Sequence, residues 1–154
     1  MSQRLVYRLV KHKWLGSAFD GEGARRYGGR WNSRGRPCIY LAGSESLAIL
    51  EVIVHLQDYR VLQHYTLIEI QLPDDGILQL PREQWPADWY EEPAPASTAQ
   101  LGDTWLASQT SLALAVPSVV VPRELNYLLN PTHPGFSQVV QSARHIDFAP
   151  DQRL

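Results

Sequence analysis

Ser46-Leu-Ala-Ile-Leu-Glu51-Val-Ile-Val-His55 is an almost unbroken apolar run that carries a single acid. Ser44-Glu45 in front of it supplies a hydroxyl able to cap a helix and a carboxylate for its first turn. The β-branched residues are compatible with a strand, but the length favours a helix. Between Leu47 and Leu56 that helix is apolar on nearly every side, so it is expected to be buried. The helical neighbours of Glu51 at three and four positions are Leu47, Ala48, Val54 and His55, and only His55 is polar. A carboxylate in such company is paired, protonated or aimed at a cavity, because an unpaired buried charge is costly. Two outcomes stand at this point: a working acid, or a structural pair with His55 or a nearby arginine.

Upstream lies Tyr27-Gly28-Gly29-Arg30-Trp31-Asn32. Adjacent glycines let the backbone take positive φ or come close to another group. A cation and an aromatic ring beside bare amides suit an anionic, planar ligand, since guanidinium forks match phosphate and rings stack on bases. An ordinary turn with a solvated Arg and a core Trp fits the same letters. Arg25, Arg26, Arg30, Arg34 and Arg36 crowd around this motif and give a local positive patch or a solvated loop.

The flanking segments read mostly as strands. Leu5–Val10 is a first strand with Arg8 embedded in it, and an Arg there needs an acceptor. Trp14–Gly23 is a loop or short helical turn, and Pro37–Ala42 a second strand that includes Tyr40 and runs into the Glu51 helix. Tyr65–Leu72 alternates, with Thr66, Ile68, Ile70 and Leu72 on one side, and Asp74-Asp-Gly76 marks a turn. Residues 81–103, with four prolines among Trp85, Trp89 and Tyr90, predict an irregular loop packed through its rings, followed by a short helix over Thr104–Gln109. Leu112–Val121 is a strand interrupted at Pro117, which cannot donate to a ladder, so Ser118 stands where the backbone is re-aimed. Glu124–Asn130 predicts a turn of helix closed before Pro131, and His145–Phe148 a last strand.

Bulk properties narrow the class. With 154 residues, 44% apolar content and a formal net charge of -2, a single domain over residues 1–154 is expected. Cys38 is the only cysteine, which excludes an internal disulfide and a thiolate zinc cluster and fits a reducing, cytoplasmic setting. No leader opens the chain, and no apolar run approaches the roughly 18 residues needed to cross a membrane. Fourteen Lys and Arg against sixteen Asp and Glu leave no overall field for nucleic-acid or membrane binding. The five histidines form no HExxH or close HxH arrangement, so no metal site is expected. A Ser118, His133, Asp147 triad lacks a G-x-S-x-G elbow, and Gly21-Glu-Gly23 lacks the third glycine of a dinucleotide fingerprint.

What remains is a set of arginines, tyrosines and one acid. Pyrophosphate wants the arginines, an aromatic base wants the tyrosines or Trp31, and ribose hydroxyls want a carboxylate acceptor. Cleaving a glycosidic bond passes through an oxocarbenium-like state that a nearby carboxylate stabilises. NAD meets all three requirements.

The ordered set Tyr7-Arg8, Gly28-Gly-Arg30-Trp-Asn32, Tyr40, Ala48 to Glu51 with His55, Val116-Pro-Ser118, and Asn126 to Asn130-Pro131 with His133 resembles the RES-domain toxins, named for Arg, Glu and Ser. The resemblance runs from about Leu5 to Pro134 and is thinnest in the proline-rich segment around Trp85. It implies an α+β, ADP-ribosyltransferase-like fold, with mixed or antiparallel sheets and a few short helices around an NAD cleft. It also implies a toxin that degrades NAD as substrate, with phosphate or water as co-substrate and no resident cofactor. Its partner would be an Xre-type helix-turn-helix antitoxin that covers the site, and a homodimer within that complex is compatible with it. Carried over by position, Arg30, Glu51 and Ser118 are the catalytic candidates, and Arg8, Tyr27, Arg30, Tyr40 and Asn126 the NAD-binding ones. Arg8 and Arg30 would clamp phosphates, Tyr27 or Tyr40 would stack on nicotinamide, and Glu51 would hold the ribose. Ser118 would orient the ribose or Glu51. A protein mono-ADP-ribosyltransferase and a catalytically silent nucleotide- or partner-binding module are the competing readings.

Overall fold

Alternation with a period of two governs the centre of the chain. The computed structural model describes residues 2–154. Its strands are β1 (Gln3–Lys11), β2 (Ile39–Ala42), β3 (Tyr65–Pro73), β4 (Ile77–Gln79), β5 (Ala113–Pro117), β6 (Leu125–Leu129) and β7 (Arg144–Ile146). They form one seven-stranded sheet in the order β4-β5-β6-β2-β1-β3-β7. All pairings are antiparallel except β4 with β5, so the sheet is mixed. The helices are α1 (Glu22–Tyr27), α2 (Glu45–Ile53), α3 (Ala96–Ser108) and α4 (Phe136–Gln141). This is the α+β fold class expected from the sequence.

Successive residues of each strand point to opposite faces, and both faces are covered. On one, Val6, Ile39, Ile68, Ile70, Leu72, Ala113, Ala115 and Leu129 pack under Leu15, Phe19, Phe136 and Val139. On the other, Leu114, Val116 and Leu128 meet Trp105 and Leu106 of α3. Farther along that face, Leu9, Ala42 and Leu67 meet Leu47 and Ala48 of α2. One join is weak. The strand β1 pairs with β3 along its whole length, from Gln3↔Pro73 to Lys11↔Tyr65, but with β2 only at Tyr7↔Ala42. Beyond that pair the two strands part, and a cleft opens between them.

Several expectations are corrected. Glu124–Asn130 is not a helical turn: Leu125–Leu129 is the strand β6, whose Tyr127, Leu128 and Leu129 are buried on both faces. A short apolar run of that kind carries no period to separate strand from helix. The irregular segment stops at Pro95, and α3 is a helix of 13 residues rather than a short one after Thr104. Proline just ahead of a helix start is harmless, so Pro93 and Pro95 precede α3 without breaking it. The helix α2 is not buried all round: Leu50 and Val54 are exposed, and only Leu47 and Ala48 are fully enclosed. It lies on the sheet as a cover with one side to solvent. Glu22–Tyr27, Ile77–Gln79 and Phe136–Gln141 form elements where none was expected.

Candidate active site

Ser44 begins the site. Its hydroxyl accepts from the Leu47 amide at 3.1 Å and caps α2, fixing the helix direction as the sequence predicts. Glu51 follows the buried Leu47 and Ala48 by four and three positions, so its side chain continues the stripe that faces the sheet. The carboxylate therefore reaches across to the ends of β5 and β6. Ser118 Oγ donates to Glu51 Oε1 at 2.7 Å, and Asn126 Nδ2 donates to the same oxygen at 3.0 Å. Among the described residues nothing donates to Oε2. The partners are thus neither His55 nor an arginine.

Ser118 is fully buried and saturated. Its oxygen also accepts the Val120 and Val121 amides, each at 3.1 Å, in the turn that follows Pro117. Ser118 and Asn126 act on Glu51 and orient it, which makes them positioning residues. The sharp end of β5 at Pro117 is what brings the hydroxyl there.

The glycine motif forms a tight hairpin closed by Gly29 N donating to Asn32 O at 3.0 Å. Gly28 takes φ of 73°, which favours glycine. At Gly29 an added Cβ would sit 2.6 Å from the Tyr40 hydroxyl, so glycine is required there by close approach. That hydroxyl accepts from Trp31 N at 3.0 Å and donates to Asn32 Oδ1 at 2.7 Å. Burial pushes the Tyr40 phenol well above its ordinary pKa. Trp31 is 2% exposed and packs with Trp105 and Leu114, so its ring is not available for stacking. The helix α3 buttresses this turn: Thr98 Oγ1 donates to Arg30 O at 2.6 Å, and Asp103 Oδ1 accepts from Ser33 N at 2.9 Å.

Arg8 projects into the gap between β1 and β2. Its Nη1 donates to Tyr40 O at 2.8 Å, while its Nε is enclosed without an acceptor among the described residues. No carboxylate lies within ion-pair distance of it among those residues. Desolvation lowers the Arg8 pKa, but a guanidinium keeps its proton, so the cation is fixed and under-compensated. Arg30 is held by Glu92, which lies with it on the cleft wall, at 2.7 Å. The expected basic patch is broken up in the same way, for Arg25 and Arg26 both pair with Glu22.

The cleft that unites these groups has a volume of about 1180 Å³. That lies at or above the upper end of small-molecule sites, which run to about 1,000 Å³. Arg8, Arg30, Tyr40, Glu51 and Asn126 line it. A family model described as the RES domain matches residues 5–151. The chain belongs to the RES-domain family.

Two relatives of this RES chain are similar over nearly its full length, and a third over three quarters of it. The protein named Toxin Res from Yersinia enterocolitica serotype O:8 / biotype 1B is 46% identical over 150 residues, covering 97% of this chain and 99% of that one. Toxin Res from Photorhabdus laumondii is 40% identical over 151 residues, covering 97% and 96%. A protein from Sphingobium sp. named Prs ADP-ribosylating toxin is 40% identical over 118 residues, covering 75% and 73%. Among solved structures, the M. tuberculosis MbcT-MbcA toxin-antitoxin complex contains a chain with the same fold. Its TM-score is 0.72 at 21% identity, over 95% of this chain and 82% of that one.

Of the predicted site residues of the RES domain, the buried Ser118 meets the cleft only through Glu51, and Tyr27 stands apart altogether. It is 75% exposed and outside the cleft lining, so of the two tyrosines proposed to stack, Tyr40 is the one at the cleft. Tyr7, part of the RES resemblance, also lines the cleft, as do Trp14, Tyr65 and Glu92, to which the sequence assigned no part in the site. Trp14, which closely follows Lys11 and Lys13 and whose ring centre lies 4.8 and 4.9 Å from their ammonium groups, carried the only local signal. Glu92 carried none, because its place depends on a contact with Arg30 made across 62 positions of sequence.

Proposed function

We propose that this RES-domain toxin cleaves the nicotinamide–ribose bond of NAD, with phosphate or water as the acceptor. The observation that carries the reading is the Glu51 carboxylate: one oxygen is immobilised by Ser118 and Asn126, the other takes no donor among the described residues, and Glu51 lines a large cleft together with the under-compensated Arg8. Nicotinamide would leave with the electron pair of the glycosidic bond. Glu51 Oε2 would accept from the ribose hydroxyls and stabilise the cationic sugar. Phosphate or water oxygen would then bond to the anomeric carbon and lose its proton, giving a phosphorylated or free ADP-ribose. Arg8 supplies the positive charge for the pyrophosphate.

A specific observation favours a second reading, transfer of ADP-ribose to a protein: the Sphingobium relative carries an ADP-ribosylating name. Incubating the purified chain with radiolabelled NAD, with and without phosphate and with cell extract, separates the two. Soluble ADP-ribose products support the first reading and labelled protein the second. Glu51→Gln removes most turnover in either case, and a variant that consumes NAD at the normal rate would sink the mechanism. An Xre-type antitoxin, and a homodimer within the complex, belong to the same proposal. The fold shared with the toxin-antitoxin complex supports the antitoxin.

A further inference from the structure

Arg8 and Arg30 meet the cleft in different states. Arg8 has no carboxylate partner among the described residues, whereas Arg30 is gripped by the segment ahead of α3. Arg30 Nη1 donates to the carbonyls of Trp89 at 3.0 Å and Glu91 at 2.7 Å, and Nη2 donates to Glu92 Oε2 at 2.7 Å. The Nη1 bonds are to main chain and fix the guanidinium. The Nη2 bond is to a side chain that is 79% exposed, while that of Arg30 is 14% exposed. Nη1 is therefore tied to main chain, while Nη2 meets a carboxylate standing in solvent. Both residues line the cleft. A guanidinium edge that donates to a carboxylate oxygen donates to a phosphate oxygen in the same geometry.

We infer that Glu92 is an internal competitor: it occupies the anion-binding edge of Arg30 and sets the affinity of the cleft for phosphate-bearing ligands. The identity of the natural ligand rests on the NAD reading above, but the competition is a property of Arg30 and Glu92 alone. An ion pair with so exposed an acid gives way easily, so its removal is worth at most about a fivefold gain in affinity. Glu92 is thus a specificity-determining residue that disfavours weakly charged anions and admits those able to meet two arginines.

The test is a calorimetric titration of inorganic pyrophosphate into the full chain and its Glu92→Gln variant. The expected result is binding roughly two- to fivefold tighter in the variant, with the main-chain bonds to Arg30 keeping the segment in place. The KM for NAD should fall by a similar factor, with the gain in KM rather than in kcat. In an Arg30→Gln background the same substitution should change neither quantity. Equal or weaker pyrophosphate binding in Glu92→Gln, or no binding to either protein, overturns the inference. So does a gain that persists without Arg30, which would mark a general charge effect. Tighter pyrophosphate binding in a protein that leaves NAD intact would instead overturn the NAD reading and keep the competition.

Discussion

Gly102→Ala should cost this protein much of its stability, and the reason lies in one contact. A Cβ at Gly102 would stand 1.6 Å from the Trp31 carbonyl oxygen, where ordinary contact begins at 3.4 Å. The helix α3 and the glycine hairpin would have to part by about 1.8 Å. Both partners are main chain, so no side-chain rotation relieves the clash. Overpacking of this kind costs about 1–3 kcal/mol. The bonds Thr98 to Arg30 O and Ser33 N to Asp103 lie along the same junction and would be stretched. Their loss adds about 1 kcal/mol each. Better helix propensity returns about 1 kcal/mol. The net loss is about 2–4 kcal/mol, which for a chain of this size lowers Tm by roughly 5 to 15 °C. Gly23→Ala is the control: nothing lies within 4 Å of its added Cβ, and it should be neutral or slightly stabilising. Urea denaturation of both variants measures the difference. If Gly102→Ala unfolds at the wild-type urea concentration, the close approach of α3 to the hairpin is not real.

Two further outcomes follow from the site and the core. Asn126→Ala removes one charge-assisted bond to Glu51, worth about 1.5–3 kcal/mol, and should slow NAD cleavage by one to two orders of magnitude. In a Glu51→Gln background the same change should cost little, since Asn126 acts through that carboxylate, and additive losses in steady-state rates would refute this. Burial pushes the Cys38 thiol from an ordinary value of 9.0 up to about 12, and burial moves the Tyr7, Tyr40 and Tyr65 phenols upward as well. Above the ordinary thiol pKa the unfolded chain releases its proton while the folded one keeps it. Stability is therefore intact below about pH 9 and falls as pH rises towards 12. Urea midpoints across pH 7–11 check the sign, and a Cys38 that reacts quickly with a thiol reagent at pH 8 in the native state contradicts the assignment.

What could be read from the chain alone was decided by how local the cause was. The Ser44 cap, the alternation of Tyr65–Leu72 and the break at Pro117 are signals within a few residues, and all three stand in the structure. Leu125–Leu129 was misread because burial on both faces erases the period that would identify a strand. The helical run through Glu51 was legible as a helix, but not as one with a solvent side, since apolar letters do not say how much neighbouring structure exists to cover them. Glu51, Arg8 and Arg30 could be named as chemistry-bearing residues, yet their partners could not. Ser118 and Asn126 reach Glu51 from 67 and 75 positions away, and only the sheet order brings them there.

The single pairing Tyr7↔Ala42 leaves β1, β3 and β7 joined to β2, β4, β5 and β6 by one rung, with α2 lying over the join. A molecule gripped by Arg8 on one bank and by Asn126 of β6 on the other would act as mortar in that seam, so occupancy and rigidity would rise together. Anything that wedges the two banks apart would silence the chemistry without ever touching the carboxylate.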